Sequence, residues 1–113
     1  MSKLVYLAAT LALTVSATAG AACPYPAEIE IPNGAKATQA EMVAANASMK
    51  DYMAKIDTYL ECLDREEAEL GEAVNEEQKQ LHTSRHNTAV DALNALAARY
   101  NEQVQAFKKA GGK

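Results

Sequence analysis

The sequence predicts an all-α protein, a long antiparallel helical hairpin preceded by an extended, proline-containing N-terminal arm. Three observations support this fold class. The composition favours helix, with no Trp, one Phe and all three prolines confined to the first third of the chain. Apolar residues recur at seven-residue spacing over two long stretches, and helix start and stop signals flank both stretches.

The first helix is predicted to begin at a capping box. Thr38 and Glu41 have the Ser/Thr-x-x-Glu spacing in which each side chain accepts a hydrogen bond from a free backbone N–H. A helix over residues 39–70 follows, and Gly71 can adopt the left-handed conformation that ends helices, so a turn is predicted at 71–75. The alternative is one continuous helix. The predicted apolar stripe comprises Met42, Met49, Ile56, Leu63 and Leu70, with Tyr52, Met53, Tyr59 and Leu60 beside them.

The second helix is predicted over residues 76–109. Asn75 is a favourable N-cap, Gln78 stands three residues beyond it, and glycines follow the last helical turn. Two apolar stripes joined by a short turn pack as an antiparallel hairpin, here residues 38–110, which leaves 111–113 as a tail. The stripe of the second helix comprises Ala89, Val90, Leu93, Leu96, Ala97, Tyr100, Val104 and Phe107.

The arm, residues 23–37, contains all three prolines and is therefore not regular helix. Ile29 and Ile31 alternate with Glu28 and Glu30, so in an extended chain the isoleucines lie on one side and the carboxylates on the other. We expect the arm to lie in the groove of the hairpin with its isoleucines turned inward.

Residues 1–22 have the three-part pattern of a secretory signal peptide. Lys3 is followed by an apolar run over 4–15 and by small residues over 16–22. Cleavage near Ala22 leaves about ninety residues, one small domain with a limited core. The protein is therefore predicted to be periplasmic or secreted, with no membrane span after cleavage; the alternative is a retained membrane anchor.

The two cysteines are predicted to form a disulfide. An extended arm of about fifteen residues reaches up to roughly 50 Å, and Cys62 lies about 36 Å along the first helix, so Cys23 can reach it. One alternative is an intermolecular disulfide. Another is a lipoprotein anchored at Cys23, because small residues precede it. Cys23-Pro24-Tyr25-Pro26 is also similar to the Cys-Pro-Tyr-Cys active site of glutaredoxins, but Pro26 replaces the second cysteine, which argues against redox catalysis.

His82 and His86 are candidate metal ligands. They stand four residues apart, one turn along one face of the second helix, which is the spacing two imidazoles need to share a metal. In an antiparallel hairpin His82 faces the region of Asp64, and Asp64, Glu67 or Glu61 can complete a site. The alternative is that both imidazoles simply continue the interhelical stripe.

Charge is distributed unevenly along the hairpin. The chain has a net charge of −4, which argues against nucleic acid and anionic lipid as partners. The predicted turn end is acidic, with Arg65 the single base between residues 57 and 77, and Lys108, Lys109 and Lys113 lie at the opposite end. Such a run is either a solvated face or a docking surface for a basic partner or a second copy. The acidic residues are Asp57, Glu61, Asp64, Glu66, Glu67, Glu69, Glu72, Glu76 and Glu77.

Two resemblances bear on the class of protein. The runs at 59–64 (YLECLD), 86–91 (HNTAVD) and 97–104 (AARYNEQV) resemble a group of short exported proteins of Gram-negative bacteria with no assigned function, which implies a compartment. Asn75-Glu76-Glu77-Gln78 is similar to the Leu-Thr-x-x-Gln element of periplasmic stress chaperones, with Val74-Asn75 in place of the Leu-Thr pair, and implies a dimerising hairpin as an alternative.

The apolar arc of the first helix is wider than one neighbouring helix can cover. Met53 and Leu60, with Val90, Ala97 and Val104, are left available to a second copy, and two hairpins then form a homodimeric four-helix bundle. No nucleophile, base and orienter set is apparent and no cofactor is implied. We therefore expect a non-enzymatic exported protein that acts through protein–protein contacts. The alternatives are a periplasmic metal-binding protein that uses His82 and His86, or a stress-chaperone-like hairpin.

Overall fold

The computed structural model describes residues 23–112; the predicted signal peptide and Lys113 lie outside the described residues. Helix α1 spans Gln39–Leu70 and helix α2 spans Glu76–Lys109, with a short 3-10 turn at Gly71–Ala73 between them. The two helices pack against each other along their length. The all-α hairpin is thus confirmed with the predicted helix bounds, and the alternative of one continuous helix is wrong.

Both helices begin at a complete capping box. At α1 the Glu41 N–H donates to Thr38 Oγ1 at 3.1 Å, and the Thr38 N–H donates to Glu41 Oε2 at 2.7 Å. At α2 the Gln78 N–H donates to Asn75 Oδ1 at 2.8 Å, and the Asn75 N–H donates to Gln78 Oε1 at 3.0 Å. Each box satisfies backbone donors that have no partner inside the helix, which fixes where the helix starts.

Glycines end both helices, although not in the same conformation. Gly71 has the positive φ that the sequence predicts, 54°, but its ψ of −132° is outside the left-handed helical region. Its N–H donates to the Ala68 carbonyl, and the chain continues into the 3-10 turn. At the end of α2 the Gly112 N–H donates to the Phe107 carbonyl at 3.0 Å. This bond has the spacing of the Schellman motif.

The core is a narrow seam between the helices and the arm. Ile56 and Leu63 of α1 and Leu96 of α2 are the largest fully buried side chains. The predicted stripe is buried from Met42 to Leu63, but Leu70 is 39% exposed. It is the last residue of α1 and lines an open recess with Leu63 and Leu81. Leu81 is itself 58% exposed, so the apolar side chains at this end of the hairpin stay in contact with solvent.

The arm lies along the hairpin on one side of this seam. Ile29 and Ile31 pack against the buried cluster, whereas Glu28 and Glu30 are exposed, as their alternation predicts. The arm therefore forms a third layer that covers one face of a two-helix hairpin. Between residues 23 and 112, no helix combines the length and apolar character needed to cross a membrane.

Candidate functional site

The arm is attached to α1 through its two cysteines. The sulfur atoms of Cys23 and Cys62 lie 1.96 Å apart with their Cα atoms 5.7 Å apart, the geometry of a disulfide. Cys23 is 7% exposed, in the core cluster, and Cys62 packs against that cluster. In this form neither sulfur is a free thiol for redox chemistry or lipid attachment.

Glu66 joins the arm to both helices next to the disulfide. Its Oε1 accepts a hydrogen bond from the Cys23 N–H at 3.2 Å, and its Oε2 lies 2.8 Å from Arg85 Nη1. A hydrogen bond with Tyr59, and then the Glu66 carboxylate, raise the pKa of Arg85 against the lowering effect of burial. This role of Glu66 was not predicted from the sequence. The available signal was a carboxylate seven residues after Tyr59, at a position of the seven-residue repeat that is otherwise apolar.

Two contacts fix the rest of the arm on α2. Glu28 Oε1 lies 2.7 Å from Arg99 Nη2 at the exposed edge. The N–H of Gly34, a buried residue, donates to Gln103 Oε1 at 2.8 Å. Neither contact was predicted from the sequence. Each joins residues about seventy positions apart, and local sequence patterns do not indicate such contacts.

An open groove of about 530 Å³ runs between the start of the arm and α1. Tyr25 meets Tyr59 edge-on there, with ring centroids 5.2 Å apart and an interplanar angle of 77°. Prolines of the arm line one side, and Lys55 and Arg65 contribute the charged part of the lining. The conspicuous Cys-Pro-Tyr-Pro stretch thus forms an aromatic and proline-lined wall.

The predicted metal-ligand residues lie at the turn end of the hairpin. His82 Nε2 is 3.0 Å from Glu67 Oε2 and 3.4 Å from Asp64 Oδ1, and the His82 side chain is 19% exposed. The His86 ring lies one turn further along α2, with its centroid 6.4 Å from that of His82. Across residues 23–112, Glu61 makes no hydrogen bond or ion pair to either imidazole. The structure therefore brings together His82, Asp64 and Glu67, the central part of the predicted set.

A second potential ligand group involves the disulfide. Among the described residues, the potential ligand atoms of Cys23, Cys62 and Glu66 lie within 4.8 Å of one another. Both sulfurs belong to the disulfide, and thiolate is the form of cysteine that binds metal, so this group is not a metal site in the oxidised protein. The metal site at His82 and His86 stays a prediction.

The side of the hairpin away from the arm carries what we call the uncovered face: Met53, Leu60, Val90, Ala97 and Val104. Leu60 stands two residues before Cys62, so the two side chains point about 200° apart around α1. Ala97 stands likewise two residues before Arg99, which contacts the arm. Met53 is 49% exposed and the other four are half-buried, so an apolar surface remains in contact with solvent.

The two ends of the hairpin differ in charge. Asp64, Glu66 and Glu67 have partners on α2, and Glu76 pairs with Lys79 of its own helix. Glu69, Glu72 and Glu77 are exposed at the turn end. Lys108 and Lys109 lie in the last turn of α2 at the open end. Lys113, the third predicted base of that end, lies outside the described residues.

The described chain is thus a helical hairpin with a disulfide-linked arm over one face. Comparison of the chain with protein-family models, with curated proteins and with solved structures finds no match.

Proposed function

We propose that this protein is an exported, non-enzymatic helical hairpin that acts through protein–protein contacts, and that the uncovered face binds a second copy of the chain. The observation that carries the proposal is the asymmetry of the hairpin. The arm covers one face, whereas Met53 on the other is 49% exposed among half-buried apolar neighbours. Surfaces of this kind on helical hairpins are commonly covered by formation of a four-helix bundle.

The position of the uncovered face favours a symmetric partner. Met53 and Leu60 bracket the middle of α1, and Val90 and Ala97 bracket the middle of α2. A two-fold axis through this point brings the apolar side chains of one copy against those of the other over the middle of the hairpin. A closed dimer results, without a surface left open for further addition.

Charge favours the antiparallel arrangement of the two hairpins. An antiparallel dimer places the acidic turn end of one copy beside Lys108 and Lys109 of the other. A parallel dimer places the acidic ends side by side, where their mutual repulsion opposes association. Charge complementarity therefore supports a second copy of this chain as the occupant of the face.

Export is supported by the leader pattern and by the cysteines. Disulfides persist in the periplasm and outside the cell and are rare in the reducing cytosol. The alternative of a lipid anchor at Cys23 requires the same sulfur atom that lies at bonding distance from Cys62. We therefore assign the disulfide-linked form to a periplasmic or secreted location.

Sedimentation equilibrium of the exported protein at micromolar concentration tests the proposal. The wild type is expected to have the mass of a dimer, and Met53→Glu is expected to be a monomer because a carboxylate would be buried at the contact. Leu81→Glu is the matched control, because Leu81 is 58% exposed and lines a recess with Glu66 and Arg85. Glu66 also accepts a hydrogen bond from the first residue of the arm, so this recess lies on the side of the arm. Circular dichroism confirms that each variant is helical.

Two results of the sedimentation experiment would contradict the proposal. A monomeric wild type contradicts self-association through any face. A dimer that survives Met53→Glu but not Leu81→Glu places the contact on the other side of the hairpin and contradicts the assigned face.

A further inference from the structure

The His82 side chain lies between two carboxylates of the opposite helix. Its Nε2 atom is 3.0 Å from Glu67 and 3.4 Å from Asp64, which stand three residues apart on one face of α1. The imidazole is 19% exposed, so most of it is shielded by protein. Two acidic groups thus converge from one helix on a single nitrogen of the other.

One imidazole nitrogen is a poor match for two carboxylates. Nε2 carries at most one hydrogen, which forms a good bond to one oxygen at a time. Over residues 23–112, no Lys or Arg forms an ion pair with Asp64 or Glu67. A cation shared among the three side chains satisfies all of them, with the deprotonated nitrogen serving as a ligand.

The two separations from His82 Nε2 match those between ligands of one metal ion. Two ligands about 2.0–2.1 Å from a tetrahedral Zn²⁺ are about 3.3 Å apart. His82 Nε2 already stands at nearly this distance from each carboxylate. The three residues do not form a set with all ligand atoms within 4.8 Å of one another, so a carboxylate must turn toward the ion. The Asp64 and Glu67 side chains are 69% and 37% exposed, which leaves them room to turn.

His86 is the next imidazole along the same face of α2. Its ring centroid is 6.4 Å from that of His82, with the ring planes inclined by 32°. A pair of histidines one helical turn apart can bind one ion from the same face. Imidazole nitrogen selects Zn²⁺ and similar ions over Ca²⁺ and Mg²⁺, which prefer oxygen. The geometry points to a two-histidine, two-carboxylate Zn²⁺ site formed by His82, His86, Asp64 and Glu67 at the turn end of the hairpin.

Isothermal titration of Zn²⁺ into the disulfide-linked protein tests this site. The wild type is expected to bind one ion per chain with a Kd of about 10 μM or tighter. His82→Ala and the double variant Asp64→Asn/Glu67→Gln are each expected to weaken binding at least about tenfold, because even loss of an outer-shell partner of a metal ligand has that effect. His86→Ala is expected to weaken it in the same direction.

The matched control is Glu72→Gln/Glu76→Gln. It removes two negative charges from the same acidic end without touching the four ligands, and is expected to change the Kd by less than about twofold, as for exposed charges screened by salt. The titration is repeated on Met53→Glu, because that residue lies in the uncovered face. The comparison of the two Kd values shows whether Zn²⁺ binding depends on self-association. Circular dichroism checks that every variant is folded.

Three results would overturn the proposal. The first is Zn²⁺ binding weaker than about 10 μM in the wild type. The second is an equal loss in the Glu72→Gln/Glu76→Gln control, which indicates diffuse binding to the acidic end. The third is an unchanged Kd in folded His82→Ala.

Discussion

At Gly34 the arm lies directly against the backbone of α2. A Cβ atom added there would lie 1.8 Å from the Gln103 carbonyl oxygen, a distance that no side chain tolerates. Asn33 positions the glycine, because its carbonyl accepts the Ala37 N–H at 2.9 Å and its Oδ1 accepts the Ala35 N–H at 3.1 Å. The absence of a side chain at Gly34 thus allows the arm to enter the groove before α1 begins.

Gly34→Ala is expected to destabilise the protein by about 3 kcal/mol, the upper end of the range for overpacking, because the clash is with backbone and not with a flexible side chain. Gly71→Ala is the comparison variant. Its Cβ meets nothing within 4 Å, and the positive φ alone is expected to cost about 1 kcal/mol. Urea unfolding measures both values, and a Gly34→Ala variant no less stable than Gly71→Ala contradicts the close approach.

Tyr52 makes stability sensitive to alkaline pH. Burial raises its pKa above the ordinary value of about 10, with smaller contributions from Tyr25 and Glu28, and the residue is 2% exposed. Between the ordinary and the raised pKa, the folded state keeps a proton that the unfolded state has lost. The free energy of unfolding therefore falls as the pH rises through the ordinary value.

Tyr52→Phe is expected to lessen this alkaline loss of stability. Urea unfolding of the wild type and the variant between about pH 9 and pH 11 measures it, across the window set by the ordinary tyrosine pKa. Tyr100→Phe is the matched control on the other side of the hairpin and is expected to retain the loss. Identical pH profiles for the wild type and Tyr52→Phe contradict the assignment.

At the scale of elements, the helices were predictable because their signals are local. Capping residues, glycines and the seven-residue spacing all act within a few positions, so the bounds of α1 and α2 follow from the sequence. The exposure of Leu70 was not predictable, because it depends on which side chains α2 presents opposite the last turn of α1.

The arm was predictable in its reach and inward face but not in its partners. Alternation of Ile29 and Ile31 with glutamates indicates which side is buried. The hydrogen bonds that hold the arm join residues separated by 43, 69 and 71 positions. A periodic pattern indicates which residues share a face of one element, but it does not indicate which distant residues form a pair. For the candidate metal site, the hairpin register predicted His82 opposite Asp64 and left Glu67 and Glu61 as alternatives. The structure places Glu67 at the imidazole together with Asp64, a choice that depends on the rotation of α1 about its axis.

The disulfide is expected to contribute most of the arm's stabilising effect. It links residues 39 positions apart, and closing a loop of that size in the unfolded chain corresponds to about 4 kcal/mol in the chain-entropy model. Cys62→Ser is therefore expected to lower the melting temperature by roughly 15–30 °C for a domain of this size.

Calorimetry measures the melting temperature of the wild type and of Cys62→Ser. The double variant Cys23→Ser/Cys62→Ser is the control, and its melting temperature is expected to fall by the same amount. Mass spectrometry of the exported protein without reductant is expected to give a chain beginning near Ala22 or Cys23, lighter than the dithiol by two hydrogen atoms. A diacylglycerol adduct on Cys23, or an unchanged melting temperature in Cys62→Ser, contradicts the intramolecular disulfide.

At the scale of the whole molecule, the hairpin is asymmetric in two directions. Across its thickness, the arm covers one face and leaves the uncovered face apolar. Along its length, the turn end is acidic and the last turn of α2 is basic. An antiparallel dimer through the uncovered face resolves both asymmetries, because it buries the apolar side chains and pairs unlike ends.

Zero-length carbodiimide cross-linking followed by peptide mass spectrometry tests this arrangement most directly. Glu76 and Lys109 stand at opposite ends of a 34-residue helix, about 50 Å apart at 1.5 Å per residue, so an amide bond between these ends joins two chains. Cross-links are expected from Lys108 or Lys109 to Glu72, Glu76 or Glu77, and these are expected to be lost in Met53→Glu but not in Leu81→Glu. Dimers cross-linked with like ends together, or no cross-link between opposite ends at concentrations where the protein is dimeric, would contradict the antiparallel pairing.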